Sequence, residues 1–121
     1  MIKERLQSFK FALKGIRLLF LSETNAKIHL AFTFLVIAGG LFFSVSWTEW
    51  CLLVLAIAMV LCAEGMNTAI EYLTDLVSPN FHELAGKTKD VAAGAVLIAA
   101  IGAAIIGCMI FLPKIWDYFC S

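Results

Sequence analysis

The run Leu52-Leu-Val-Leu-Ala-Ile-Ala-Met-Val-Leu-Cys-Ala63 carries no charge and leads directly into Glu64-Gly-Met-Asn-Thr-Ala-Ile-Glu-Tyr-Leu-Thr-Asp75. The first half reads as the body of a membrane span. On a helix turning about 100° per residue, Glu64, Asn67, Glu71 and Asp75 fall near about 0°, 300°, 340° and 20°. One narrow stripe therefore holds three carboxylates and an amide. A carboxylate in hydrocarbon costs about 2.5 kcal/mol or more, so such groups face a cavity, a partner or a pathway. Asp75 alone would read as a polar cap on the wet end of a span. The four together read as a candidate site, with Glu64 about 10 Å deeper than Glu71 at 1.5 Å per residue.

The surrounding chain sets this helix in a small membrane protein. Of the 121 residues, 62% are hydrophobic and only 15% charged, too apolar for a soluble domain of this size. At about 20 residues per span, this length takes about three spans in one unit, residues 1–121. The expected spans are 28–46, 50–75 and 91–112. Eight of the nine Lys and Arg residues precede the first span or lie between the second and third; only Lys114 lies elsewhere. The positive-inside rule then places the N-terminus in the cytoplasm and the C-terminus outside.

Ahead of the spans, Ile2, Leu6, Phe9, Leu13, Ile16 and Phe20 alternate by four and three, with Lys3, Lys10, Lys14 and Arg17 between them. Residues 2–21 are therefore expected to form an amphipathic surface helix whose basic face suits anionic head groups. A cap-like segment, Ser22-Glu-Thr-Asn-Ala-Lys27, follows at the interface. Gly39-Gly40 serves close helix approach. Trp47-Thr-Glu-Trp50 is expected to be a short outer turn with interfacial tryptophans. Val77 to Asp90 is expected as a cytoplasmic link turning at Ser78-Pro-Asn80. In the third span Ala95, Ala99, Ala103 and Gly107 form a small-residue ladder, and Pro113 is expected to end the helix.

Several chemistries are excluded. Cys51, Cys62, Cys108 and Cys120 have no C-x-x-C spacing, which argues against a disulfide framework or a zinc site. Gly86-Lys87-Thr88 lacks the phosphate-loop glycine five residues earlier, where Phe81 stands. His82-Glu83 fails as a zinc-protease motif because position 86 is Gly. The basic residues are spread along a membrane-surface helix, so nucleic acid is not a partner. The basic N-terminus leads into an interrupted pattern and not the short apolar core of a signal peptide.

The polar residues at the cytoplasmic level suit phosphoryl transfer, which needs cation clamps on the phosphate and a base for the acceptor hydroxyl. Glu23 and Glu71 sit where hydrophilic ATP and a membrane-embedded acceptor can meet, with Lys89 and Asp90 at the same level. Glu64, deeper, is placed to accept a proton from a lipid hydroxyl.

These residues also carry a resemblance. Glu64-x-x-Asn67-x-x-x-Glu71-x-x-x-Asp75, His82-Glu-Leu-x-Gly86, Lys89-Asp90 with Ala95-Val-Leu97, and Lys14-Gly15-x-Arg17 before Glu23 resemble the prokaryotic integral-membrane diacylglycerol kinases, which include undecaprenol kinases. The resemblance implies an all-α membrane protein with a surface helix and three transmembrane helices per subunit. It also implies a homotrimer in a bacterial cell membrane, with sites between neighbouring subunits, using ATP and Mg²⁺. By position it implies Glu64 as catalytic base and Glu23 and Glu71 as metal-binding carboxylates. Phe11, Glu23, Glu71, Asn80, Phe81, His82, Lys89 and Asp90 become nucleotide contacts. Lys14, Arg17, Asn25, His29, Asn67 and Asp75 become supporting or substrate residues. Phe11 departs from the tyrosine of the enterobacterial members, and Glu4 from a basic residue. Glu23-x-Asn25-x-x-x-His29 looks more like the undecaprenol kinases.

The expected function is thus phosphorylation of a lipid alcohol: undecaprenol, diacylglycerol or both, with diacylglycerol alone as the alternative. An ion or proton pathway would need polar residues continuing to the far side, and Leu52 to Ala63 offers none. A non-catalytic packing subunit would leave Glu23, Glu64, Glu71 and Lys89 without a role.

Overall fold

A computed structural model describes all 121 residues as four α-helices with no strand: α1 (Ile2–Ser22), α2 (Thr24–Phe42), α3 (Trp47–Val77) and α4 (Glu83–Cys120). The last three are long and apolar enough to cross a membrane. At 1.5 Å per residue α3 is about 46 Å long and α4 about 57 Å, both longer than the hydrocarbon core of about 30 Å. Their polar ends therefore extend beyond it.

The α1 helix forms where the apolar spacing requires one, and none of its residues is buried. Ile2, Leu6, Phe9, Leu13 and Ile16 are all exposed within the chain. An unpartnered apolar stripe of this kind is what a membrane surface or a neighbouring subunit covers. Glu23 alone separates α1 from α2, in extended conformation at φ −105° and ψ 119°. The segment expected as a cap is thus one residue long, and Thr24–Lys27 is already the first turn of α2. The first span accordingly begins earlier than expected and ends at Phe42.

The turn from α2 to α3 is tightly specified. Ser44 takes the left-handed conformation at φ 51°, and the Val45 N–H donates to Gly40 O over 3.1 Å, closing the end of α2. Trp47–Trp50, expected as a turn, is the first turn of α3. Ser46 caps it reciprocally: Glu49 N–H donates to Ser46 Oγ at 3.2 Å, and Ser46 N–H donates to Glu49 Oε1 at 2.9 Å. The Glu49 carboxylate also reaches Lys114 of α4 at 3.2 Å, which gives the one lysine set apart from the other basic residues an ion-pair partner. Gly40 is buried beneath the Trp50 ring, which a Cβ there would strike.

Pro113 does not end the third span. The helix continues to Cys120, because a proline removes one backbone hydrogen bond but sets a helical φ, and tertiary contacts hold the last turns. Those contacts are Lys114 with Glu49, and Tyr118 with Phe42 and Phe43 at ring separations of 5.6 and 6.3 Å. The link between α3 and α4 is also shorter than expected. Only Ser78–His82 is non-helical, so Lys87, Lys89 and Asp90 lie on α4. His82 caps that helix, its Nδ1 accepting from Leu84 N–H at 3.0 Å.

Packing is most extensive between α3 and α4. A small core of Val45, Leu53 and Ile110, flanked by Phe43, Trp50 and Phe111, closes the end of the bundle at the α2–α3 turn. Ala99 of the small-residue ladder is buried and Ala95 exposed, while Ala103 and Gly107 border a cavity. The ladder therefore does not pack backbone to backbone along its length within one chain.

Candidate active site

The polar stripe of α3 faces inward where it is deepest. Glu64 is 1% exposed and is the largest fully buried side chain, and Asn67 is 8% exposed. Glu71 is half-buried and Asp75 exposed, so the stripe grades from the interior to the surface toward the end of α3. Leu19 of α1 lies against the backbone beside Glu64: a methyl on Gly65 would meet Leu19 Cδ2 at 3.6 Å.

Three other elements bring polar groups to this stripe. His29, in the second turn of α2, places Nε2 3.6 Å from Glu64 Oε2, beyond hydrogen-bonding distance. Glu23 stands at the elbow between α1 and α2, half-buried. The elbow is tied to α3 by Ser22 Oγ and Tyr72 Oη at 3.4 Å. Asn67 Nδ2 donates to Glu71 Oε1 at 3.4 Å, orienting that carboxylate. Lys89 of α4 reaches Asp75 Oδ1 at 2.5 Å, which joins the surface ends of α3 and α4.

Three buried polar atoms have no hydrogen-bond partner: Glu64 Oε2, Asn67 Oδ1 and Thr68 Oγ1. Buried polar groups are nearly always paired, with protein, ligand or ordered water, so each of these three has a hydrogen bond to give or accept. Thr68, 5% exposed, is not marked by the sequence motif, although its position four residues after Glu64 places it on the adjoining face.

A cavity of about 320 Å³ opens below the stripe between α2, α3 and α4. Its walls are apolar except for His29 and Thr33, and Thr33 commits its hydroxyl to the His29 carbonyl at 2.8 Å. His29 both lines this cavity and approaches Glu64. His29 is thus the residue that joins the apolar cavity to Glu64, which does not itself line it.

Other expected site residues are not gathered within one chain. Phe11, Lys14 and Arg17 are exposed on α1, and neither Lys14, Arg17 nor Asp90 takes part in an ion pair. Asn25 and Asn80 are exposed, and Phe81 is 96% exposed. No group of three or more His, Cys, Asp and Glu side chains converges as a ready metal cage. The carboxylates Glu23 and Glu71 still suit Mg²⁺, which takes one or two carboxylates plus substrate phosphates and water in place of an all-protein cage.

An all-helical protein with three apolar spans thus holds a buried carboxylate near an apolar cavity, with His29 between them. Comparison with known proteins makes the class specific. The family described as prokaryotic diacylglycerol kinase matches residues 10–111. The undecaprenol kinase of Bacillus subtilis is 39% identical over 90% of this chain and 89% of its own length. A Synechocystis diacylglycerol kinase is 38% identical over 91% of this chain, which spans 63% of that relative. The diacylglycerol kinase of Escherichia coli K12 is 29% identical over 90% of this chain and 86% of its own.

The chain belongs to the prokaryotic diacylglycerol kinase family, a family of lipid kinases, and is a multi-pass membrane protein.

Proposed function

We propose that this chain transfers the γ-phosphoryl group of ATP, with Mg²⁺, to the hydroxyl of a membrane lipid alcohol. The observation that carries this reading is the buried Glu64 carboxylate, with one oxygen unpartnered, 3.6 Å from His29, which lines an apolar cavity. The acceptor O–H gives its proton to Glu64 as its oxygen bonds to the γ-phosphorus. The bond from that phosphorus to the bridging oxygen breaks, and ADP leaves. Glu23 and Glu71 would hold the metal, which when bound would neutralise charge on the phosphates. Lys89, at the surface end of the stripe, adds a cation for the nucleotide. Asn67 orients Glu71 and Asp75 orients Lys89.

By the positive-inside rule this end of the bundle faces the cytoplasm, where ATP is, and the C-terminus lies outside. A homotrimer completes the site: Phe11, Lys14, Arg17, Asn25, Asn80, Phe81, His82 and Asp90 are exposed in one chain and free to meet the nucleotide across a neighbouring subunit.

The likeness of Glu23-x-Asn25-x-x-x-His29 to the undecaprenol kinases, and the 39% identity to the Bacillus subtilis one, favour undecaprenol as an acceptor at least equal to diacylglycerol. The cavity beneath His29 is lined almost wholly by apolar side chains, which suits one branched chain as well as one arm of a glycerolipid. Competing the two lipids at matched surface concentration in one micellar assay tests this. Undecaprenyl phosphate is expected to form at least as fast as phosphatidic acid; a strong preference for diacylglycerol would exclude the polyprenol assignment.

A further inference from the structure

Most helical serine and threonine hydroxyls near this site are committed locally. Ser22 donates to Leu18 O, Thr33 to His29 O, Thr74 to Ile70 O and Thr88 to Leu84 O, each four residues back. Thr68 does not do this, although the Glu64 carbonyl stands at the same offset. Its hydroxyl is buried and bonded to nothing.

We propose that the Thr68 hydroxyl binds the acceptor's hydroxyl and orients it onto Glu64, an assignment that rests on the lipid-kinase reading above. The basis is chemical complement. Glu64 Oε2 and Asn67 Oδ1 can only accept, whereas Thr68 Oγ1 can donate and accept. A phosphate oxygen or a second carboxylate would face Glu64 with like charge. An ammonium could satisfy Glu64 and Asn67 but has no lone pair for the Thr68 proton. A neutral alcohol serves Glu64 and Thr68 together: its proton goes to Glu64 and its lone pair to Thr68, with Asn67 Oδ1 taking no part.

Placement gives independent support. On α3 the cavity-lining residues Leu53, Ala56, Ile57, Val60 and Leu61 span about 280° through 0° to about 60° around the helix, taking Glu64 as zero. Asn67, Glu64 and Thr68, near about 300°, 0° and 40°, continue the same arc toward the polar end. An amphiphile with its hydrocarbon stem in the cavity brings its hydroxyl to this arc, next to His29. Glu64 takes the proton; Thr68 fixes which lone pair faces the phosphorus.

The test uses the full chain in lipid micelles, with Thr68→Val and Thr68→Ser compared to wild type. Valine keeps the shape and removes only an unpartnered hydroxyl, so the melting temperature should be equal or higher. The KM for ATP should stay within about twofold, while kcat/KM for the lipid alcohol falls about 10- to 100-fold. Thr68→Ser should restore most of that loss. Wild-type lipid kinetics in Thr68→Val would overturn the proposal, as would equal impairment of the Val and Ser variants, which would mark a packing role or a bridging water. If the valine variant does not fold, Thr68→Ala against Thr68→Ser is read the same way. An active wild type with a fully active Thr68→Val removes only this assignment; a wild type that phosphorylates no lipid alcohol removes the kinase reading and this assignment with it.

Discussion

Glu64→Gln is expected to lower lipid phosphorylation by about 10²- to 10⁴-fold, the loss that follows removal of a general base. Glutamine matches glutamate in shape, so the buried position between α1, α2 and α3 should remain filled. The substitution also removes a buried carboxylate with an unpartnered oxygen, so the thermal midpoint should hold or rise. Binding of Mg²⁺-ATP should survive, because the metal and its phosphates are assigned to Glu23 and Glu71. Turnover measured beside nucleotide binding by calorimetry checks the division. Loss of nucleotide binding equal to the loss of turnover would show that Glu64 is a metal ligand and not the base.

Glu71→Gln should act on the other half of the reaction. It removes one anionic hard-oxygen donor from a site that has few, since no cluster of three metal-competent side chains converges there. The KM for Mg²⁺-ATP is expected to rise about tenfold or more, about 1.4 kcal/mol of binding or above. The amide oxygen can still accept from Asn67 Nδ2, so the local packing is retained. KM for the lipid should change little. A variant with normal ATP affinity and weakened lipid binding would reverse the assignment of the stripe's two ends.

The contrast between these two carboxylates is legible in the amino-acid sequence. It follows from 100° per residue and from the apolar run that precedes Glu64, both local properties of one helix. The number and order of the spans are legible for the same reason. Their limits are not. One extended residue, Glu23, suffices to separate two helices, so the polar segment Thr24–Lys27 is helical where its composition suggests a cap. Pro113 lies inside α4 because Lys114 and Tyr118 hold the turns around it, and neither contact is visible in local composition.

Within the site, whatever depends on two helices is hidden from spacing alone. The approach of His29 to Glu64 joins α2 to α3, and the pairing of Lys89 with Asp75 crosses the link between α3 and α4. Thr68 carries no signal in the sequence because a helical threonine ordinarily satisfies its hydroxyl on the preceding turn, and only the folded chain shows that this one does not. Phe11, Lys14, Arg17, Asn25, Asn80, Phe81 and Asp90 rest on family likeness. The single chain leaves them exposed, and their roles depend on what covers that surface.

The central claim is a chemical transfer, and it is tested most directly by following the phosphorus. Purified protein in mixed micelles is given ATP labelled at the γ-position, Mg²⁺, and either undecaprenol or diacylglycerol. Label is expected to appear on the lipid hydroxyl, to stop appearing when Mg²⁺ is chelated, and to be lost in Glu64→Gln while that variant still binds nucleotide. Label that stays on ATP with both lipids, or that is released only as inorganic phosphate, would contradict a lipid-alcohol kinase.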